Sequence, residues 1–436
     1  MAIYIQSSKS AGVYFHDFFD IDDPLSFKFQ NTTLAIRLTE LLTEYYKPTS
    51  QSPSDLYFSS RFFPKDLDLL DHYFTLATSS SLVLLHPDGE PALAITTSGT
   101  DELEVHYIEK DSFFDFTDAS SFFQFLVKSS TPRSFNRIEL NCQTLLKRSS
   151  RTSDLSKEFK FLNSLPRELS KYYVKASSFT QKSQSASYVM PIVSSPSMAH
   201  LCANGYFSTK ARAHSFFTCL KNYHSKTVVK NASPSFDSFS SFLICKNIDR
   251  FNLLKTSPHH SYIEATFSEF TNTTLDFLLE DLNAIIQQNS KYLNCLQTGF
   301  QHGDLCFSNI LYNANDSTLK LIDPSGERTP FIYDLAKLSQ SIFSNYDLLA
   351  CNRFQLSRLD SLSDFEKVFD SLDNMSALRT TFLNFLQEYH FNLPLIRIIE
   401  ASLFFSMMPL HLDNPDRVVL QGLTSFNILR SLKEQT

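Results

Sequence analysis

The sequence predicts an α+β fold in which a small mixed α/β unit and a β-rich segment precede a mainly helical half. Three observations lead there. Short apolar runs bounded by turn residues gather before position 195, helical periods dominate the C-terminal half, and one strand-turn-strand pattern stands within that half at 310–323. At 436 residues the chain is longer than a single hydrophobic core usually grows. Three segments are therefore expected, at 1–125, 126–195 and 196–436.

In chain order, TLAIRLTELLTEYY (33–46) has helical spacing, and PTSQSPSD (48–55) reads as a loop. SLVLLHPDGEPALAITT (81–97) reads as a hairpin around a PDG turn. RIEL (137–140) and TLLK (144–147) are short strands, and SDLSKEFKFLNSL (153–165) is a helix with Leu155, Phe159, Leu162 and Leu165 on one face. SYVMPIV (187–193) is a further strand whose regular pairing ends at Pro191. In TTLDFLLEDLNAIIQQ (273–288), Leu275, Leu278, Leu279, Leu282, Ile285 and Ile286 form an apolar stripe, with Thr273 or Thr274 as N-cap. YDLAKLSQSIF (333–343) and a run from 378 to 408 are also helical, the latter interrupted at Pro394 and closed near Pro409.

Composition sets limits on function. Basic residues number 39 against 46 acidic ones, a net charge of −7, and the basic ones are scattered; nucleic acid is therefore excluded as the main partner. Seven cysteines without a C-x-x-C pair read as reduced thiols, which points to a cytoplasmic protein. The N-terminus lacks a basic region followed by an apolar core, and no membrane insertion is expected.

The chemistry concentrates in FQHGDLCFSNILYNANDSTLKLIDPSG (300–326). ILY (310–312) and LKLID (319–323), joined by a turn-rich NANDST, form a hairpin whose open end gathers Asn309 and Asp323. An amide oxygen and a carboxylate converging in this way suit Mg²⁺, which takes one or two protein ligands and otherwise arrives with ATP. Asp304, one loop earlier, faces the same cavity as the candidate catalytic base for an attacking hydroxyl.

H-G-D-x-x-x-x-N followed by I-D resembles the aminoglycoside phosphotransferase and choline kinase superfamily, which has the two-lobed protein-kinase-like fold, over roughly 130–436. The resemblance implies a small β-rich N-lobe and a mainly α C-lobe, Asp304 as base, Asn309 and Asp323 as Mg²⁺ ligands, and His302 bracing the loop. It also implies that Asp334, opening the next helix, supports the catalytic loop. A strand Lys held by a helix Glu meets the nucleotide phosphates in that superfamily, and Lys147 with Glu158 has the expected order. Ser187 to Ile192 is then the connection between lobes.

IDPSG (322–326), YDLAKLSQSI and SMMPLH (406–411) resemble a branch found in bacterial capsule and surface-polysaccharide gene clusters. The expected substrates of that branch are sugars or polyols with a free hydroxyl. Two other outcomes stay open, a nucleotide-binding pseudokinase acting through a partner and an antibiotic phosphotransferase. The chain departs from the pattern in one respect, since no glycine occurs between 100 and 204 and SFNRIEL (134–140) must cover the phosphates.

Other candidates reduce to ordinary structure. HDFFDIDDP (16–24) lacks the Thr that a dehalogenase-type D-x-D nucleophile motif requires and reads as an acidic loop. Adjacent His259 and His260 face different ways on any regular element, and Cys306 reads as a small buried filler.

Overall fold

The computed structural model describes residues 3–6, 12–19, 21, 23–29, 32–45, 54–65, 73, 80–97, 103–108, 112–129, 135–141, 143–227, 238–350, 356–371 and 375–434. The chain is α+β, as expected, and its contacts divide it into two compact units: 1–130 with 194–196, and 131–193 with 197–436.

In the first unit a five-stranded sheet runs in the order Ile3–Gln6, Ser54–Ser59, Pro91–Thr97, Ser81–Leu85 and Leu103–Tyr107. Its two outer pairings are parallel and its two inner ones antiparallel. The 81–97 hairpin forms around a turn in which Gly89 N donates to His86 O at 2.8 Å. Beside it, Phe15, Phe19, Phe27, Phe116, Phe122 and Phe125 pack edge to face and are nearly fully buried. Two expected loops differ. Ser54 and Asp55 already belong to a strand, and 48–53 lie outside the described residues. His16 to Phe19 close the helix Gly12–Phe19, while Asp23 caps a short turn by accepting from Leu25 N at 3.1 Å.

The second unit begins with a four-stranded antiparallel sheet in the order Asn136–Asn141, Thr144–Ser149, Ala186–Pro191 and Ser177–Gln181. The helix Thr152–Ser164 follows the second strand and packs on Ala186–Pro191. The helical part is built around Leu393–Met407, whose neighbours are Phe239–Lys255, Phe331–Ile342 and Pro415–Glu434. The stretch Leu393–Leu410 is long and apolar enough to cross a membrane by composition, yet 78% of it is buried inside the fold. Here it is a core helix. The interruption expected at Pro394 falls at Tyr389–Asn392, with His390 at φ +55° and Pro394 inside the first turn of the next helix, where a missing N–H costs nothing.

Thr274 is the N-cap of Leu275–Gln288, its hydroxyl accepting from Phe277 N at 3.2 Å, and Leu275, Leu278, Leu282 and Ile286 make the buried face. Leu282→Ala therefore costs about 2–5 kcal/mol and Thr274→Ala about 1 kcal/mol of unfolding free energy in urea denaturation; an equal cost for the two would contradict this packing.

Candidate active site

A buried carboxylate sets the backbone frame. Asp334, in the first turn of Phe331–Ile342, accepts from His302 N at 2.8 Å and from Gly303 N at 2.6 Å. Burial pushes its carboxyl up to about 7, against the two N–H groups that favour the charged form. Gly303 turns the chain at φ +74°, and a Cβ there would lie 2.0 Å from Ser325 Oγ. Only glycine fits that turn.

His302 is fully buried. Its Nδ1 accepts from Asp304 N at 3.1 Å and its Nε2 lies 2.7 Å from Ile322 O, an arrangement that calls for the neutral Nε2–H tautomer. Burial lowers its pKa to about 4. Tyr173 stacks on the ring at 5.9 Å, and Ser325 N donates to His302 O at 2.8 Å. The imidazole thus joins the HGD turn to the far end of the hairpin.

Asp304 is held on both oxygens. Oδ1 lies 3.0 Å from Lys337 Nζ, and Oδ2 accepts from Asn309 Nδ2 at 3.2 Å, which also donates to Asp304 O at 2.8 Å. With its nitrogen turned to Asp304, Asn309 keeps its side-chain oxygen as an acceptor.

Ile310–Asn313 pairs with Thr318–Leu321, Ile310 opposite Leu321, and Ile322 N donates to Asn309 O at 3.1 Å. Asn309 and Asp323 accordingly flank one end of the hairpin. Asp323 adopts φ +58°, a left-handed conformation uncommon outside glycine, Asn and Asp, and its Oδ1 lies 2.9 Å from Lys147 Nζ.

Lys147 sits on Thr144–Ser149 directly opposite Tyr188, with Nζ 2.9 Å from both Glu158 oxygens. The Tyr188 hydroxyl donates to Glu158 Oε1. Burial works against the Lys147 charge, but Asp323 and Glu158 outweigh it and hold its pKa above the ordinary value. For Glu158 burial dominates and pushes the carboxyl up to about 7, with Lys147 opposing and Asp323 adding to the rise. One ammonium faces two carboxylates, and burial disfavours the charged form of Glu158.

Among the described residues no group of three or more His, Cys, Asp or Glu side chains could hold a metal ion. The donor set still fits Mg²⁺ carried by a polyphosphate, which needs only one or two protein oxygens. Asn309 Oδ1 and Asp323 Oδ2 are the candidates, since Lys147 engages Oδ1 of Asp323.

One expectation is corrected. Ser187 to Met190 lie in a strand paired on both sides, so their main chain is committed to the sheet; the connection to the helix Met198–Ala203 is 192–197. In the SFNRIEL stretch, Asn136 to Leu140 form an edge strand, and Ser134 lies outside the described residues.

Sequence reasoning missed Lys337 and Tyr188. Lys337 stands one helical turn after Asp334 in YDLAKL, so that spacing was the available signal. It also overlooked Ser341, whose Oγ accepts from Phe307 N at 3.1 Å, and Asp347, whose Oδ1 accepts from Ser308 N at 3.1 Å. Cys306 is buried, its thiol pushed up by burial, with Ser308 Oγ at 3.2 Å.

The chain aligns with solved structures of aminoglycoside phosphotransferases. A thermostable mutant of aminoglycoside phosphotransferase APH(4)-Ia, in apo form, aligns at 11% identity over 69% of this chain and 92% of its own, with a TM-score of 0.46. Aminoglycoside phosphotransferase APH(3'')-Id from Streptomyces rimosus, in complex with ADP and streptomycin, aligns at 15% identity over 69% and 99%, with a TM-score of 0.40. Spectinomycin phosphotransferase APH(9)-Ia, solved with ADP and spectinomycin, aligns at 12% identity over 63% and 91%, with a TM-score of 0.32. No family model and no curated protein matches the sequence.

His302 predicts a pH signature. Its folded pKa lies below the unfolded value near 6.5, so its contribution to stability is present above that pH and is lost as pH falls toward 4. His302→Gln removes this titration. The stability gap between wild type and variant in urea denaturation should narrow from pH 7 to pH 4.5, and a gap that widened would contradict a neutral buried imidazole.

Proposed function

We propose that the second unit is an ATP- and Mg²⁺-dependent small-molecule kinase of the protein-kinase-like fold, transferring the γ-phosphate to an acceptor hydroxyl. The observation that supports it best is the buried Lys147, 2.9 Å from both Glu158 and Asp323, on the hairpin end shared with Asn309 and so with Asp304. In this reading Lys147 meets the α- and β-phosphates, with Glu158 fixing its position. Bound with the nucleotide, Mg²⁺ at Asn309 and Asp323 would neutralise charge on the phosphates. Asp304 orients the acceptor hydroxyl and takes its proton as the new oxygen–phosphorus bond forms and the bond to the β-phosphate oxygen breaks, releasing ADP. Lys337 holds the Asp304 carboxylate in place. His302 and Asp334 are positioning residues that hold the loop.

The acceptor is proposed to be a sugar or polyol, used in making surface-polysaccharide precursors in the cytoplasm. IDPSG and SMMPLH support that branch, and both lie against the site: Ser325 bonds the His302 carbonyl, and Met407 Sδ is 3.5 Å from Lys337 Nζ. ATP turnover across sugars, polyols and amino alcohols tests the reading. Asp304→Ala is expected to lower kcat by about 10²–10⁴-fold, and Lys147→Ala to raise KM for ATP while lowering kcat. Equal turnover by wild type and Asp304→Ala would remove the role given to Asp304.

A further inference from the structure

The loop 302–309 runs along one face of the helix Phe331–Ile342. Asp334, Lys337 and Ser341 stand at i, i+3 and i+7 on that helix and therefore share one side of it. They meet the loop in chain order: Asp334 takes the N–H groups of His302 and Gly303, Lys337 reaches Asp304 Oδ1 at 3.0 Å, and Ser341 Oγ accepts from Phe307 N at 3.1 Å. The helix ends one residue later. Asp347, in the short helix Tyr346–Ala350, continues the row, its Oδ1 accepting from Ser308 N at 3.1 Å.

Those last two contacts fall on the turn that carries Asn309. Phe307–Asn309 is a single 3₁₀ turn, closed by Asn309 N on Cys306 O at 3.0 Å and by Ile310 N on Phe307 O. Such a turn leaves its leading N–H groups without partners of its own, here those of Phe307 and Ser308. Ser308 is exposed, so the bond to Asp347, rather than burial, holds it. Next in the chain is Asn309, whose Nδ2 donates to Asp304 O and Oδ2 and whose Oδ1 is the candidate metal ligand. Where the turn sits decides where that oxygen points.

Asp347 is kept at a cost. Burial pushes its carboxyl up to about 6, Ser341 and the Ser308 N–H oppose the rise, and Asp304 adds to it. A hydroxyl such as that of Ser341 would cap an N–H without bringing a second carboxylate toward Asp304.

We infer that Asp347 is a positioning residue for Asn309: by holding Ser308 N it fixes the turn that sets the direction of the Asn309 side-chain oxygen, and with it the affinity for Mg²⁺ carried by ATP. This rests on the kinase reading and assigns the control of its metal affinity to a residue that touches neither metal nor nucleotide.

The test follows the ATP-dependent thermal shift of the full chain as Mg²⁺ is titrated, alongside the shift with ATP and no metal. Asp347→Ala should raise the Mg²⁺ concentration that gives half of the metal-dependent shift by about tenfold or more, as loss of a group orienting a metal ligand does. It should leave the metal-free shift, which draws on Lys147, unchanged. Asp347→Ser, whose side chain is one bond shorter, should follow it, and Asp347→Asn, which retains an oxygen acceptor, should restore most of the affinity. In an Asn309→Ala background Asp347→Ala should add little, since both then act on one ligand. An unchanged Mg²⁺ midpoint in the Ala and Ser variants, an equal loss with and without metal, or a fully additive loss on top of Asn309→Ala would overturn the inference alone. A wild-type chain whose ATP-dependent shift is absent, or gains nothing from Mg²⁺, would overturn the ATP- and Mg²⁺-dependent kinase reading and this inference with it.

Discussion

A buried carboxylate that cannot leave its two backbone partners governs the site. Asp334 lies on a helix buried along its whole length, so ionising it in that setting is costly unless both N–H groups stay in place. The cost works in both directions. It pins the HGD turn to the helix core, and it fixes where the helix begins, directly after Pro330. Because Lys337 lies one turn further along the same helix, the anchor that holds the loop also sets the cation facing Asp304. A shift of the helix would have to break the N–H bonds and the ion pair together.

The second constraint is the meeting of Lys147, Glu158 and Asp323, from a strand, a helix and a hairpin. Charge alone would hold such a triad weakly, since one ammonium serves two carboxylates. Backbone bonds do the rest. Leu321 N donates to Tyr172 O at 2.7 Å and Val174 N to Leu321 O at 3.1 Å, so the hairpin strand that leads to Asp323 is stitched to the chain just before Ser177–Gln181. Sheet register then places Lys147 opposite Tyr188, which adds a hydrogen bond to Glu158 from below. The ion pair is therefore a consequence of a frame already fixed by main-chain pairing.

Much of this was legible from spacing. A period of 3.6 gave the helix Leu275–Gln288 with its Thr274 cap, and the turn-rich NANDST between two apolar runs gave the hairpin that brings Asn309 and Asp323 together. The pairing of Lys147 with Glu158 was anticipated from the resemblance, which implies a strand lysine held by a helix glutamate in that order. What stayed hidden depends on tertiary geometry. Tyr188 was visible as a strand residue, but its pairing with Lys147 is a matter of register between segments forty residues apart. Lys337 went unnoticed in a segment read only as helical, because nothing local says that all sides of that helix are covered. The error at Ser187–Ile192 has the same origin. A connection and a central strand look alike in sequence until a second neighbour occupies the other edge.

Glycine use shows how the site economises on backbone freedom. Gly303 and Gly326 both sit at φ +74°, and a Cβ on Gly326 would approach the Lys157 carbonyl within 2.9 Å, so the 323–326 turn presses on the helix that carries Glu158. Both glycines serve the loop and the hairpin, where chain must pass close to chain. The hairpin Asn136–Asn141 and Thr144–Ser149 has no glycine at all, and its register is continuous to the turn. A ribbon of that kind carries a side chain at every position. In the proposed reading the phosphates are held by Lys147, on the second strand of that ribbon, and by the oxygens at the open end of the 310–321 hairpin.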